Sequence, residues 1–249
     1  VSRHGFDSAP GHRALELPHP SFLPAAGAVL VLHGGRADSL TPPPLLNLPG
    51  LRMRPFARAL EQDPLFADVL IASVRYRMRG WNGPRADPVQ DTRNALEELR
   101  QVAGPLPVAL IGHSMGARAA LRAADDPQVR GVVALAPWCP PGEPVAHLAG
   151  RTIMALHDEA DRITSATDTW NYLARARAAQ ARVRGIRMPR GHHAMIRDAR
   201  LWHRLTTACA ATVLGLAPPP GGGRPDETDW STEPVDAADI TLPVRRPPH

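Results

Sequence analysis

The sequence predicts an α/β domain, a mostly parallel sheet with helices on both faces, and three observations lead to it. Short, continuous apolar runs recur along the chain, each suited to a strand buried on both faces. Stretches with helical spacing separate them, which implies crossover connections between parallel strands. The residues able to do chemistry follow directly after the apolar runs, at the carboxyl ends of the strands, where open α/β sheets hold their ligands.

In chain order, the strands are expected at 28–32, 69–74, 108–111, 131–135 and 152–156, with a shorter sixth at 183–188. Helices are expected at 55–62, 88–102, 117–124, 167–181 and 198–214. In the second of these, Thr92, Ala95, Leu96, Leu99 and Val102 share one face while Asp91, Arg93, Glu97, Glu98 and Arg100 face away, so one side is buried and the other wet. Of the 249 residues, 12–216 are expected to form the folded domain. Residues 1–11 are read as a flexible N-terminus. From 217 to 249, starting Ala217-Pro218-Pro219-Pro220-Gly221-Gly222-Gly223, the chain lacks the apolar content that offsets chain entropy and is expected to be a disordered tail.

All 29 basic side chains are arginine, and the formal net charge is +5. The arginines are dispersed among acidic residues and no aromatic-rich basic cluster occurs, so nucleic acid is not an expected partner. Cys139 and Cys209 fit no CxxC or zinc spacing and read as idle thiols. The first twenty residues lack a charged start followed by an apolar core, and no apolar run reaches a membrane span. A cytoplasmic protein with no membrane partner, a monomer or a homodimer, is therefore expected.

The most informative segment is Gly112-His113-Ser114-Met115-Gly116. A short apolar strand precedes it and an alanine-rich helix follows, the context of a nucleophile elbow that lifts a serine hydroxyl above the sheet. Ser114 is the candidate nucleophile. After the first strand, His33-Gly34-Gly35-Arg36 places a glycine where a backbone N–H can approach a substrate oxygen. The Gly35 and Met115 amides are the candidate oxyanion hole. After the fifth strand, Asp158, Glu159 and Asp161 compete to orient an imidazole. Asp161 is chosen because the turn closes before Arg162-Ile163-Thr164, leaving Asp158 and Glu159 as solvated loop charges. Past the last strand, Gly191-His192-His193 supplies a base, one ring to move the proton and the other to line the site. These histidines with His157 and His33 match no zinc spacing, so neither metal nor cofactor is expected.

With Ser114, Asp161 and His192 or His193 in that order, the chain resembles the α/β-hydrolase superfamily over residues 12–216. It is most similar to small bacterial serine hydrolases, particularly actinobacterial ones, that carry the segments seen here as Arg79-Gly80-Trp81-Asn82 and His193-Ala194-Met195-Ile196-Arg197 up to Trp202-His203. That register implies His193 as the base. Asp158 stands where such relatives usually have glycine, and the doubled histidine is a second departure. The resemblance and the strand-end rule together put Trp81 and Asn82 near the mouth of the site, and His33, Gly34, His113 and His192 complete the expected substrate-facing set. The connection 137–150 is too short and too broken by proline for a cap domain, so the site is expected to be open. A serine hydrolase acting on a small ester, thioester or lactone is the expectation, and a catalytically silent binding module on the same fold is its rival.

Overall fold

A computed structural model of the chain describes residues 12–17, 24–221, 230 and 233–242. Its strands are β1 (Leu15–Glu16), β2 (Gly27–Leu32), β3 (Val69–Val74), β4 (Val108–His113), β5 (Val129–Leu135), β6 (Thr152–Asp158), β7 (Arg182–Met188) and β8 (Val235–Asp236). The helices are α1 (Leu48–Glu61), α2 (Asp87–Ala103), α3 (Met115–Arg122), α4 (Ala166–Ala178) and α5 (Ala199–Val213). The strands form one sheet in the order β1-β3-β2-β4-β5-β6-β7-β8, parallel except for β1.

The continuous apolar composition of the central strands has its structural counterpart: every residue of β2, β4 and β6 is buried. Side chains alternate between two cores, as the twofold strand period requires. Leu30, Leu110, Val132 and Ile153 pack with α2, α3 and α4, whereas Val29, Ile111, Val133 and Met154 pack with α1 and α5. Burying each such side chain contributes about 1.5–3 kcal/mol. Leu32 pairs with Gly112 across β2 and β4, so the turn after β2 lies beside the turn after β4.

Three elements depart from the sequence reading. The first helix starts at Leu48 and runs through Pro55, where the sequence suggested a start, because Met53, Phe56 and Leu60 bury a common face. The edge strand β1 was not foreseen; the Glu98 carboxylate holds it by accepting the Ala14 and Leu15 N–H groups at 2.9 and 3.0 Å. The structureless tail from 217 is corrected for the residues described there. β8 pairs with β7 through Ile186 and Val235, Arg187 forms an ion pair with Asp236 at 2.9 Å, Ala237 is buried, and Arg184 donates to the Pro220 carbonyl. Hydrogen bonds to an exposed sheet edge hold this segment where apolar content is low. Residues 1–11, 222–229, 231–232 and 243–249 lie outside the described residues.

Cys139 and Cys209 are buried and free, and burial pushes the Cys209 thiol up to about 12. Among the described residues no helix is long and apolar enough to cross a membrane.

Candidate active site

β4 ends at His113 and α3 begins at Met115, which leaves Ser114 alone to turn the chain, at φ 54° and ψ −117°. Such a backbone in a residue other than glycine costs about 1–3 kcal/mol and persists only where its surroundings enforce it. Here the enforcement is close packing. A Cβ on Gly112 would lie 2.5 Å from the Ala117 backbone, and one on Gly116 would lie 2.4 Å from the His33 carbonyl oxygen. The Ser114 N–H donates to Leu135, and its carbonyl accepts from Arg118 and Trp138 at 3.1 and 3.2 Å.

The turn after β2 meets this elbow. A Cβ on Gly35 would fall 2.3 Å from Met115 Cε, and one on Gly34 would touch Ser114 Cβ at 3.4 Å, so Gly34, Gly35, Ser114 and Met115 are brought together. His33 is buried beside them. Its Nδ1 donates to the Gly34 carbonyl at 2.6 Å, Nε2 accepts from Asn47 at 3.1 Å, and desolvation lowers its pKa.

Asp161 sits on the loop after β6, and its carboxylate receives five hydrogen bonds. Oδ2 accepts from His193 Nδ1 at 2.8 Å, the Thr164 hydroxyl at 2.9 Å and His157 Nε2 at 3.3 Å. Oδ1 accepts from the Ile163 and Thr164 amides at 2.7 and 3.2 Å. Burial opposes the charge, but the bonds from His157, His193 and Ile163 outweigh it and hold this carboxyl well below the usual carboxylate range. A permanently charged acceptor on Nδ1 keeps the His193 proton there and turns Nε2 outward as a lone pair. His193 Nε2 and the Ser114 hydroxyl each have no hydrogen-bond partner among the described residues.

The base loop is contorted, with positive φ at Gly191, His192, Met195 and Asp198. Three bonds fix it: the His192 N–H to Asp158 Oδ2 at 2.7 Å, the Trp202 indole to the Arg190 carbonyl at 2.7 Å, and His113 Nε2 to the His193 carbonyl at 2.8 Å. The last bond requires a proton on His113 Nε2, because a carbonyl can only accept. Desolvation, then repulsion from His193, lowers the His113 pKa to about 3 despite that bond.

Several side chains stand elsewhere than the sequence suggested. His113 was expected to face substrate; its ring is instead buried and tilted against the His193 ring at 4.8 Å, its Nε2 holding that residue's backbone. Asn82 was expected at the mouth, yet its amide is consumed in tying its turn to the loop after β2, accepting from the Ser39 N–H and donating to Asp87 at 2.8 and 2.7 Å. Trp81 is buried, with the Arg118 guanidinium 3.9 Å above its ring, and lines a cleft of about 390 Å³ together with Trp138, Arg122 and Asp38. His192 is exposed and donates from Nδ1 to the Ala160 carbonyl at 3.2 Å. Asp158, read as a solvated charge, is buried and ties the acid loop to the base loop. His157, weighed from sequence only as a metal ligand, is a second imidazole on Asp161. Its i,i+4 spacing from Asp161 was the available signal, and that spacing is uninformative at the end of a strand. Among the described residues no group of three or more His, Cys, Asp or Glu side chains is placed to hold a metal ion.

A family model described as "Alpha/beta hydrolase family" matches residues 29–242. No curated protein matches the chain. Solved structures with a similar fold include an α/β serine hydrolase without a lid from Xanthomonas campestris, at 20% identity and a TM-score of 0.57 over 82% of this chain and 89% of that one. Another is the thermostable carboxylesterase EstE1 from a metagenomic library, at 17% identity and a TM-score of 0.59 over 80% and 83% of the two chains. A third is an esterase of Pyrobaculum calidifontis, at 15% identity and a TM-score of 0.53 over 77% of each chain.

Proposed function

Because the chain belongs to the alpha/beta hydrolase family, we propose that it is a serine hydrolase that cleaves a small ester-type acyl bond through an acyl-enzyme. Ser114 Oγ attacks the carbonyl carbon while His193 Nε2 takes its proton. Asp161 holds the other face of the imidazole and balances the charge it gains. The Gly35 and Met115 amides receive the oxyanion, each donor worth about 2.7–4 kcal/mol in comparable sites. His193 then protonates the leaving oxygen, and water repeats the sequence to free the acid. Thioesters and lactones use the same steps, and no cofactor enters the reaction.

The observation that carries this reading is the 2.8 Å bond between Asp161 and His193, on a loop that His113, the residue before Ser114 and its strained turn, binds at 2.8 Å. The structural neighbours named as esterases and as a lidless serine hydrolase are consistent with it. Turnover of p-nitrophenyl acetate tests the proposal. Ser114→Ala and His193→Ala are expected to lose at least a thousandfold in kcat/KM, with His192→Ala nearer wild type. A larger loss at His192 moves the base to that ring. Undiminished turnover in Ser114→Ala leaves the silent binding module as the better reading.

A further inference from the structure

The cleft that Trp81 and Trp138 line presents two arginines to its interior, and we propose that it holds a carboxylate carried by the ester substrate, an assignment that rests on the hydrolase reading. Its volume of about 390 Å³ lies in the range of small-molecule sites. The walls hang on the proposed catalytic groups. Arg118 and Trp138 both donate their backbone N–H to the Ser114 carbonyl, at 3.1 and 3.2 Å, and the Trp81 N–H donates at 2.9 Å to the carbonyl of Arg36, the residue after Gly35. Arg118 follows Ser114 by one turn of α3, about 6 Å along the helix axis. A chain of a few atoms covers that separation.

The Arg118 guanidinium lies between two indoles, 3.9 Å from the Trp81 ring centroid and 4.3 Å from that of Trp138. Stacking of this kind fixes the plane of the fork before a ligand arrives. Arg118 and Arg122 each donate to the Glu143 carboxylate through Nε and Nη2, so Nη1 of both is left without a hydrogen-bond partner among the described residues. Glu143 is 5% exposed against 12% for Arg118 and 36% for Arg122, and the cleft is lined by the two arginines but not by Glu143. The carboxylate therefore sits behind the guanidinium groups and leaves their other edges to the cleft.

The local charge agrees. A third guanidinium, that of Arg175, donates to the Glu143 carbonyl at 2.7 Å. Asp38 is the one acidic residue lining the cleft, and it is exposed and forms no ion pair among the described residues. Arg85 and Asp87, next along the chain from Gly83 and Pro84, neutralise each other at 2.9 Å. Three guanidinium groups against Glu143 and Asp38 leave one positive charge over, which matches a singly charged carboxylate bound by charge-assisted hydrogen bonds. Burial lowers the Arg118 pKa in spite of its bonds to Glu143, so a second anion favours the charged form that desolvation opposes.

Paired substrates test this on the wild-type protein. One pair is p-nitrophenyl hydrogen adipate and its methyl ester, with the carboxylate on the acyl side; the other is 4-acetoxybenzoate and its methyl ester, with the carboxylate on the leaving group. With each rate divided by that of spontaneous hydrolysis, kcat/KM is expected to favour the carboxylate at least tenfold in one pair. Arg122→Gln should cut that preference at least threefold, and Arg122→Lys should keep more of it, since lysine retains the charge and loses the fork. A preference below tenfold in both pairs, or one cut less than threefold by Arg122→Gln, overturns the proposal. Turnover of the methyl esters without that preference defeats the carboxylate site alone. Turnover of none of the four esters defeats the hydrolase reading, and the carboxylate site with it.

Discussion

His113→Gln separates a buried neutral histidine from the rest of the acid response of this protein. The folded-state pKa of His113 is about 3 against 6.5 for a free imidazole. As pH falls through 6.5 the unfolded chain takes up a proton at this position, while the folded chain does not until about pH 3. The folded state therefore loses stability from this group progressively between those values and keeps its full contribution above 6.5. At pH 4.5, two units below the unfolded value, the loss is about 3 kcal/mol. Because the ring is buried, solvent screening does not reduce that figure. Asp161, whose pKa is lowered, adds its own loss only below about pH 4, and the lowered His33 and His203 act alike in both proteins, so the difference between wild type and variant isolates His113. Glutamine does not titrate, and its amide N–H is able to reach the His193 carbonyl. Urea unfolding at pH 7 and 4.5 is the assay: the wild type is expected to lose about 3 kcal/mol more than the variant. Equal losses in the two proteins would refute the assignment of a buried, neutral His113.

Two further perturbations address the site's supports. His157→Phe removes a donor from Asp161, and kcat is expected to fall about tenfold, equivalent to about 1.4 kcal/mol of misplacement. The acid limb of the kcat/KM profile should also move to higher pH, because a carboxylate with one donor fewer pulls harder on the imidazole proton; His157→Gln should restore both. An unchanged pH profile would reduce His157 to packing. Gly116→Ala forces a Cβ to within 2.4 Å of the His33 carbonyl oxygen. It is expected to cost about 1–3 kcal/mol in urea unfolding, and no cost would mean that α3 stands farther from β2 than described.

The fold was legible because its signals are local and repeated. Apolar runs without alternation identify doubly covered strands, and the buried central strands and the helices between them fall where those runs and the helical spacing put them. What escaped was held by single long-range contacts. Glu98 capturing the N–H groups of Ala14 and Leu15, or Arg187 reaching Asp236, leaves no periodic trace in the sequence. Pro55 hid the first turns of α1 because a proline is read more readily as a helix start than as an interior residue. The candidate site divides in the same way. Ser114, Asp161 and the His192-His193 pair were picked out by their place after strands, the resemblance favoured His193, and the His193 Nδ1 lies 2.8 Å from Asp161. The supports around them were misread: Asp158 looked like a loop charge, His113 like a substrate contact and Asn82 like part of the mouth. Each acts through a backbone group on a distant turn, and a sequence does not show which turns will meet.

The relay from hydroxyl to imidazole to carboxylate is the centre of the account, and the Ser114 to His193 contact is the link that a reaction must supply. Intact-protein mass after treatment with a fluorophosphonate, followed by peptide mapping, tests it most directly. The account predicts one adduct, located on Ser114, formed at least a hundredfold more slowly in His193→Ala and absent in Ser114→Ala. An adduct on another residue, or one that forms at the same rate without the imidazole, would contradict it.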